Sequence, residues 1–236
     1  MQSVFKFPLA IIVLRRVEAG KLSLDQPVRF LASDRYPGTH SPLQDAHPEA
    51  NVDVPLRELL HLSVSFSDNV ATDILLRVVG GPQAVQRSLN GLGFPQLHVV
   101  DSEAAMHDDE QRQYRNDTTP VAMVSLLRRV ADRSPLTPEH TALLEQWMQE
   151  PTASPKRIRG ALPPGTVVAH KSGSSGTEKG MTAATNDVGL ITLPDGRRLA
   201  IAIFITDSHE DTAALEPVIA GIAKAVYDAA VAATPR

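Results

Sequence analysis

The stretch Ala184–Thr206, ATNDVGLITLPDGRRLAIAIFIT, decides the fold. Two apolar runs, Ala184–Leu193 and Leu199–Thr206, flank Pro194-Asp195-Gly196, residues that reverse a chain tightly, so the segment reads as a β-hairpin. Leu199-Ala200-Ile201-Ala202-Ile203-Phe204-Ile205 is apolar at consecutive positions and therefore on both faces of a strand. That pattern fits a strand buried between two layers rather than an exposed edge. Val167–Ser172, just upstream, reads as a third strand, and the alanine-rich Ala213–Ala232 closes the chain as a helix.

Before these strands the texture is helical. From Ser3 to Ala19 the apolar residues Val4, Phe5, Leu9, Ile11, Ile12, Leu14 and Val17 are too dense for a surface stripe, and Gly20 is a natural stop, which predicts a mostly buried helix. Leu22–Phe30 looks extended around Pro27, and Asp34–Val54, rich in Pro, His and Asp, reads as a surface excursion. Helical periodicity returns at Leu56–Leu62, Asp68–Val79 and Pro82–Leu92, and again at Pro120–Asp132 and Thr137–Gln149. Between them Asp101–Asp117 is polar and aperiodic without the composition of a tether, as a long functional loop would be. The order predicts an α/β chain built as α+β layers in a single domain over 1–236: a mainly helical part to about residue 155, then an antiparallel sheet and terminal helix over 156–236.

Composition narrows the function. A chain of 236 residues with 42% hydrophobic content is long enough for a sizeable core. Its net charge of -4 and lack of a Lys/Arg cluster argue against nucleic acid as partner, and no stretch approaches the ~20 apolar residues that cross a bilayer. The apolar run near the start lacks the flanks of a signal peptide. Without cysteine there is no thiol nucleophile. The eight histidines form no H-x-x-x-H or H-x-H pair: His40, His47 and His61 are scattered, and His107-Asp108-Asp109-Glu110 lacks a second nitrogen ligand nearby. No metal site and no cofactor are expected.

Three short motifs carry chemistry. Ser3-Val4-Phe5-Lys6 puts a lysine at i+3 from a serine at the start of a helix, where the amine can take the hydroxyl proton and the helix N-terminus favours developing negative charge. Ser67-Asp68-Asn69 opens the next helix but one, and Lys171-Ser172-Gly173 ends a strand beside Ser174. Taken singly each has an ordinary explanation: a capping serine and a surface lysine, a helix cap, a turn after a strand. Together and in this order they match the S-x-x-K, S-D-N and K-T-G set of β-lactamases and penicillin-binding proteins.

From Ser3 to the C-terminal helix the chain resembles the class A serine β-lactamases, with a fold shared with penicillin-binding proteins. The resemblance implies Ser3 as nucleophile, Lys6 as proton acceptor and Ser67 as the relay to the leaving β-lactam nitrogen. It implies Asn69 as orienter of the substrate side-chain amide, Lys171 and Ser172 as partners of the substrate carboxylate, and the backbone N–H groups of Ser3 and Ser174 beyond Gly173 as an oxyanion hole. Glu103 falls where the family's omega loop carries the glutamate that activates water, and at i+4 His107 replaces the usual asparagine, so that both could hold one water. That replacement, and the run Met181-Thr182-Ala183-Ala184-Thr185-Asn186-Asp187, resemble the PER-type extended-spectrum subgroup. Arg157 aligns with a carboxylate anchor of some subgroups, and Arg159 reads as structural.

Two departures and one omission qualify the match. The family commonly pins its omega loop with an arginine two residues before the glutamate, but here that position is Asp101, so the usual clamp is expected to be absent, with Asp117 left to cap the following helix. Ser172 stands for threonine and keeps the hydroxyl. The family's helix and first two strands precede the nucleophile, whereas this chain begins two residues before Ser3, so a truncated, poorly soluble and weakly active or inactive form is expected. The resemblance implies hydrolysis of a small-molecule β-lactam, a monomer, and a periplasmic or secreted location. The alternatives are a penicillin-binding transpeptidase or carboxypeptidase relative that acylates but deacylates poorly, against which Glu103 argues, and an inactive, truncated homologue that only binds a β-lactam or peptidoglycan-like ligand.

Overall fold

The computed structural model describes residues 1–132, 134–150 and 154–233. A 3-10 turn, Gln2–Phe5, runs into helix α1 (Lys6–Glu18), which buries every residue from Lys6 to Leu14 and is therefore the central element of the core rather than a surface helix. Gly20, at φ +66°, ends it, and the amides of Gly20 and Lys21 turn back onto the Val17 and Arg16 carbonyls.

The predicted surface excursion carries more structure than its composition suggests. Strand β1 (Pro27–Phe30) is followed by helix α2 (Pro42–Ala46) and strand β2 (Val52–Pro55), which pairs antiparallel with β1. Pro42, a loop marker by composition, is the first helical residue behind the Ser41 cap, and four-residue strands are too short for alternation to register.

Helices α3 (Leu56–Ser65), α4 (Asn69–Val78) and α5 (Pro82–Gly91) follow the expected periodicity. The polar stretch Asp101–Asp117 holds a short helix, α6 (Glu103–Asp108), and a 3-10 turn, Glu110–Tyr114. Helices α7 (Pro120–Ala131) and α8 (Pro138–Gln149) begin behind the side-chain caps Thr119 and Thr137. Asp117 is thus not the cap of α7. It pairs instead with His98 on the surface at 2.6 Å, because two more residues are needed to turn the chain into the helix.

The sheet is β3 (Val168–Ser174), β4 (Thr182–Thr192) and β5 (Arg198–Ser208), antiparallel in that order, and helix α9 (Thr212–Ala232) closes the chain. Helices cover both faces, as the doubly apolar Leu199–Ile205 run requires. Ala200, Ala202 and Phe204 of β5 pack on the helical core built around α1, and Ile201 and Ile203 join Ile219, Ala223 and Tyr227 of α9 on the other side. The outer edge of β5 has no strand partner among the described residues. No helix among them is long and apolar enough to cross a membrane.

Candidate active site

The site lies where α1, α4, α6 and β3 meet. Ser3 sits in the 3-10 turn and α1 begins only at Lys6, one turn later than the periodicity implied. A 3-10 turn has three residues per revolution, so Ser3 and Lys6 still share a side. The Lys6 amine is fully buried and ringed by oxygen: the Asn69 side-chain carbonyl at 2.6 Å, the Ser67 carbonyl at 2.7 Å, the Glu103 carboxylate at 3.0 Å and the Ser67 hydroxyl at 3.4 Å. Among the described residues no hydrogen bond joins the Ser3 hydroxyl to Lys6. Ser3 lines a cleft of about 390 Å³ with Ser67, Asn69, Ser172, Gly173 and Ser174.

Ser67-Asp68-Asn69 is a helix cap that also brings Ser67 and Asn69 to the buried lysines. Asp68 is a buried helix cap that accepts from the amides of Ala71 and Leu43 and from the Ser41 hydroxyl, at 2.7–2.8 Å. Holding Asp68 fixes its neighbours. Ser67 adopts φ +59°, a left-handed conformation uncommon for a residue with a side chain, and its hydroxyl takes a hydrogen bond from the Lys171 amine at 2.9 Å. Ser67 Oγ thereby lies between two lysines.

Lys171 is buried on β3, and burial pushes its pKa down from 10.5 to about 7, with Lys6 and Arg157 adding to the fall and Asp187 and Glu103 opposing it. Gly173 lets this strand lie against the nucleophile's turn: a Cβ there would stand 2.6 Å from the Met1 carbonyl oxygen and 3.0 Å from the Ser3 nitrogen. Arg157, only 1% exposed, donates to the carbonyls of Gly173 (3.1 Å) and Asn186 (2.8 Å) and to the Ser174 hydroxyl (2.6 Å), and lies 3.4 Å from Glu216. Arg159 instead donates to the carbonyls of Gln149 and Val168, tying the turn Ile158–Ala161 to the sheet, which is the structural role expected of it.

Glu103 opens α6 and is nearly buried. Ser102 caps the helix through the Ala105 amide, and the amides of Glu103 and Ala104 both donate to the carboxylate of Asp73, each at 2.8 Å. Burial pushes the Asp73 carboxyl up from 3.8 to about 7; the Glu103 charge adds to this, and the two amide hydrogen bonds and Lys6 oppose it. Asp73 belongs to none of the three motifs and is missed by motif reasoning, although its i+4 spacing from Asn69 puts it on the face of α4 that meets the site.

The expectation of an unclamped loop is corrected. Asp101 is buried and receives Arg112 at 3.1 Å and Arg115 at 3.3 Å, and the Asn116 side chain accepts from the amides of Val100 and Asp101 while donating to the Asp101 carbonyl. The ion pair is present with its polarity reversed: the acid stands before the glutamate and the arginines follow it. A search for one arginine at one position cannot find an equivalent pair written the other way round.

His107 lines a larger cavity, about 570 Å³, together with Glu103, Met106 and Gln2. Its ring leans on Tyr36, centroids 5.4 Å apart, and comes within 3.6 Å of where a Cβ on Gly38 would be. No hydrogen bond links His107 to Glu103 among the described residues. Gly38, Thr39 and His40, from the segment expected to be a surface excursion, form the opposite wall, and the Thr39 hydroxyl accepts from the Asn69 side-chain Nδ2 at 3.0 Å.

A hydroxyl beside two buried lysines, a carboxylate on one of those lysines and a cation behind the adjoining strand can carry out acyl transfer to serine and then to water. Comparison with known proteins gives the family. Residues 1–230 match the family model described as the beta-lactamase enzyme family. The chain is 44% identical over 227 residues to extended-spectrum beta-lactamase PER-1 of Pseudomonas aeruginosa, covering 96% of this chain and 74% of that protein. Its structure is similar to the crystal structure of TLA-1 extended spectrum beta-lactamase, with a TM-score of 0.95 and 44% identity over 98% of this chain and 84% of that one. It is similar also to a class A beta-lactamase from Bacteroides cellulosilyticus, with a TM-score of 0.93 and 33% identity over 98% and 84% of the two chains. Sequence, fold and the ordered motifs agree that the chain belongs to the beta-lactamase family, class A, beside its extended-spectrum members.

Proposed function

We propose that this protein hydrolyses the amide bond of β-lactam antibiotics through an acyl-serine intermediate. The observation that carries the reading is the placement of Ser67 Oγ between Lys6 and Lys171, with Glu103 on the far side of Lys6. In the first half-reaction Ser3 Oγ attacks the lactam carbonyl carbon and its proton passes to the Lys6–Glu103 pair. The lactam C–N bond breaks, and Ser67 gives its proton to the leaving nitrogen, replenished through the lysines on either side. The amides of Ser3 and Ser174 receive the oxygen that becomes negative. Lys171, Ser172 and, through Ser174, Arg157 meet the substrate carboxylate, while Asn69 faces the side-chain amide.

In the second half-reaction Glu103 takes a proton from water, which attacks the ester and returns Ser3 to its hydroxyl form. His107 shares the cavity with Glu103 and bounds the space for the acyl side chain. The same reading takes the enzyme as exported and monomeric, acting without metal or cofactor.

The test is a chromogenic β-lactam followed by absorbance and intact-protein mass. Turnover with a transient adduct supports the proposal. A stable adduct would make the protein an acylating relative without hydrolysis, and no adduct would make it a binder only. Ser3→Ala is expected to abolish covalent labelling, and an adduct retained at another side chain sinks the assignment.

A further inference from the structure

The helix that carries Glu103 is fixed along most of its length from its own side of the site, and one contact joins it to the wall opposite. Helix α6 has six residues, too few to be stable by itself. Its first turn is held by Asp73, which accepts the Glu103 and Ala104 amides, and its inner face by the buried Met106, whose sulfur lies 3.6 Å from Asn116 Nδ2. Its far end lacks such support: the chain leaves α6 through an extended Asp109, whose amide makes no backbone hydrogen bond among the described residues. There the His107 ring reaches across to the segment 36–39. It lies against the ring of Tyr36, centroids 5.4 Å apart and planes tilted by 50°. Gly38, at φ +76°, turns the chain past the imidazole, and a Cβ there would touch it, 3.6 Å from Cε1 and 3.9 Å from Nε2. Tyr36 is the rigid side of this contact. One side chain, Gln44 of α2, takes both of its main-chain groups: the Tyr36 amide donates to Gln44 Oε1 at 3.1 Å, and Gln44 Nε2 donates to the Tyr36 carbonyl at 3.2 Å. The Tyr36 ring packs on the hydrophobic core, and its hydroxyl is buried yet makes no hydrogen bond among the described residues. The ring, not the hydroxyl, is therefore what Tyr36 offers to the site.

We propose that Tyr36 is a positioning residue that seats the His107 ring and thereby fixes the far end of α6, setting the place of Glu103 for deacylation. The inference rests on the reading of the site as one that forms and hydrolyses an acyl-serine. His107 stands at i+4 from Glu103 on one face of α6, so a shift of the ring carries the carboxylate with it. General-base catalysis depends on that place to within about 0.5 Å, since Glu103 must reach both Lys6 and the attacking water. Attack by Ser3 makes smaller demands on α6. Ser3, Lys6, Ser67 and Lys171 stand on other elements: the 3-10 turn, α1, the turn before α4, and β3. Lys6 also keeps the Asn69 and Ser67 oxygens at 2.6 and 2.7 Å whether or not Glu103 shifts. Loosening α6 therefore acts on the second half-reaction and largely spares the first.

The experiment compares wild type with Tyr36→Leu, which removes the aromatic ring and keeps a large apolar side chain, and with Tyr36→Phe, which removes only the hydroxyl. With a chromogenic cephalosporin, acylation and deacylation rates are measured separately by stopped flow and by quenched intact-protein mass. Tyr36→Leu is expected to slow deacylation by about tenfold or more and acylation by less than about threefold. Once deacylation limits turnover, kcat and KM fall together, kcat/KM stays nearly unchanged and acyl-enzyme accumulates. Tyr36→Phe is expected to behave as wild type. A merely structural role would lower kcat/KM as well. His107→Ala removes the same contact from the loop side and guards against misfolding of the first variant. It is expected to give the same split, and Tyr36→Leu added to it to slow deacylation no further. Deacylation unchanged in Tyr36→Leu, or slowed equally with and without His107, overturns the proposal. Failure of the wild type to form any acyl-enzyme instead overturns the functional reading. The contact is then decided by itself through the proton resonances of the His107 ring, which should shift in Tyr36→Leu and hold in Tyr36→Phe; resonances unmoved by Tyr36→Leu refute it.

Discussion

Replacing Asp73 by asparagine separates two things that its carboxylate does. It accepts the amides of Glu103 and Ala104, each at 2.8 Å, and it titrates where most carboxylates do not, pushed from 3.8 to about 7 chiefly by burial. A carboxyl whose folded pKa lies above its unfolded value holds its proton more tightly in the folded state. Its stabilising contribution is therefore complete below about pH 4 and is lost as pH rises to about 7. A shift of about three units corresponds to about 4 kcal/mol. Asparagine does not titrate, so the stability of Asp73→Asn relative to wild type should improve by about that amount between pH 4 and pH 8. Locally the sign is opposite. The amide offers one oxygen where the carboxylate offered two, so one of the two amides at the start of α6 loses its acceptor, a local cost of about 1–3 kcal/mol. Urea unfolding of both proteins at pH 4, 6 and 8 measures the first effect. Amide hydrogen exchange at Glu103 and Ala104, with single-turnover deacylation, measures the second. A stability difference that stays constant across this pH range would refute the reasoning.

Two further substitutions address the loop. Glu103→Ala should leave acylation detectable by mass while slowing deacylation by about 10²–10⁴-fold, and unchanged steady-state hydrolysis would make Glu103 an ordinary loop residue. Asp101→Asn leaves the half-exposed Arg112 and Arg115 without their carboxylate, at a cost of about 1–2 kcal/mol borne by the loop. Limited proteolysis should then cut within 101–117 sooner than in wild type, and an unaltered cleavage pattern would show that Asn116 alone holds the loop.

Much of the fold and of the site is legible in the sequence, and the reasons are local. Dense apolar residues from Val4 to Val17 can only be a buried helix, and a run apolar on both faces can only lie between layers, so α1 and β5 announce themselves. The motif residues that the fold brings together are legible because they are written in short spacings: Ser3 with Lys6, Ser67 with Asn69, Lys171 with Ser174. Residues that act through another residue's backbone are not. Asp73 looks like a polar position in an amphipathic helix, and only the fold brings the amides of Glu103 and Ala104 to it. The wall made by Gly38, Thr39 and His40 stays hidden because a loop that crosses the surface and one that folds over a cavity share the same composition. Asp187 is legible only as part of a resemblance, since nothing in its spacing reveals that Gly189 leaves room for His170 to reach it.

The site is, in physical terms, a cluster of charges held out of water: Lys6, Asp73, Glu103, Arg157, Lys171 and Asp187 are all buried or nearly so. Such groups destabilise a fold unless their geometry is fixed from outside. The fixing here comes from rigid parts, α1 at the centre of the core and the β3–β4 ladder, and from main-chain amides that aim at the carboxylates. That arrangement explains why the loop can exchange an arginine-first clamp for Asp101 and its two arginines. What the proposed chemistry demands is that Glu103 stay on Lys6, and here Asp73 holds the Glu103 and Ala104 amides independently of the Asp101 clamp. It also sets the liability. Because Asp73 and Lys171 both sit near neutrality at about 7, the attachment of the loop and the charge on the wall proposed to bind the substrate carboxylate change over the same pH range, one carboxyl releasing its proton as one amine releases its own. Raising the pH through 7 should therefore strengthen Asp73 as an acceptor for the loop while weakening Lys171 as an anchor, which confines efficient turnover to a narrow interval around that value.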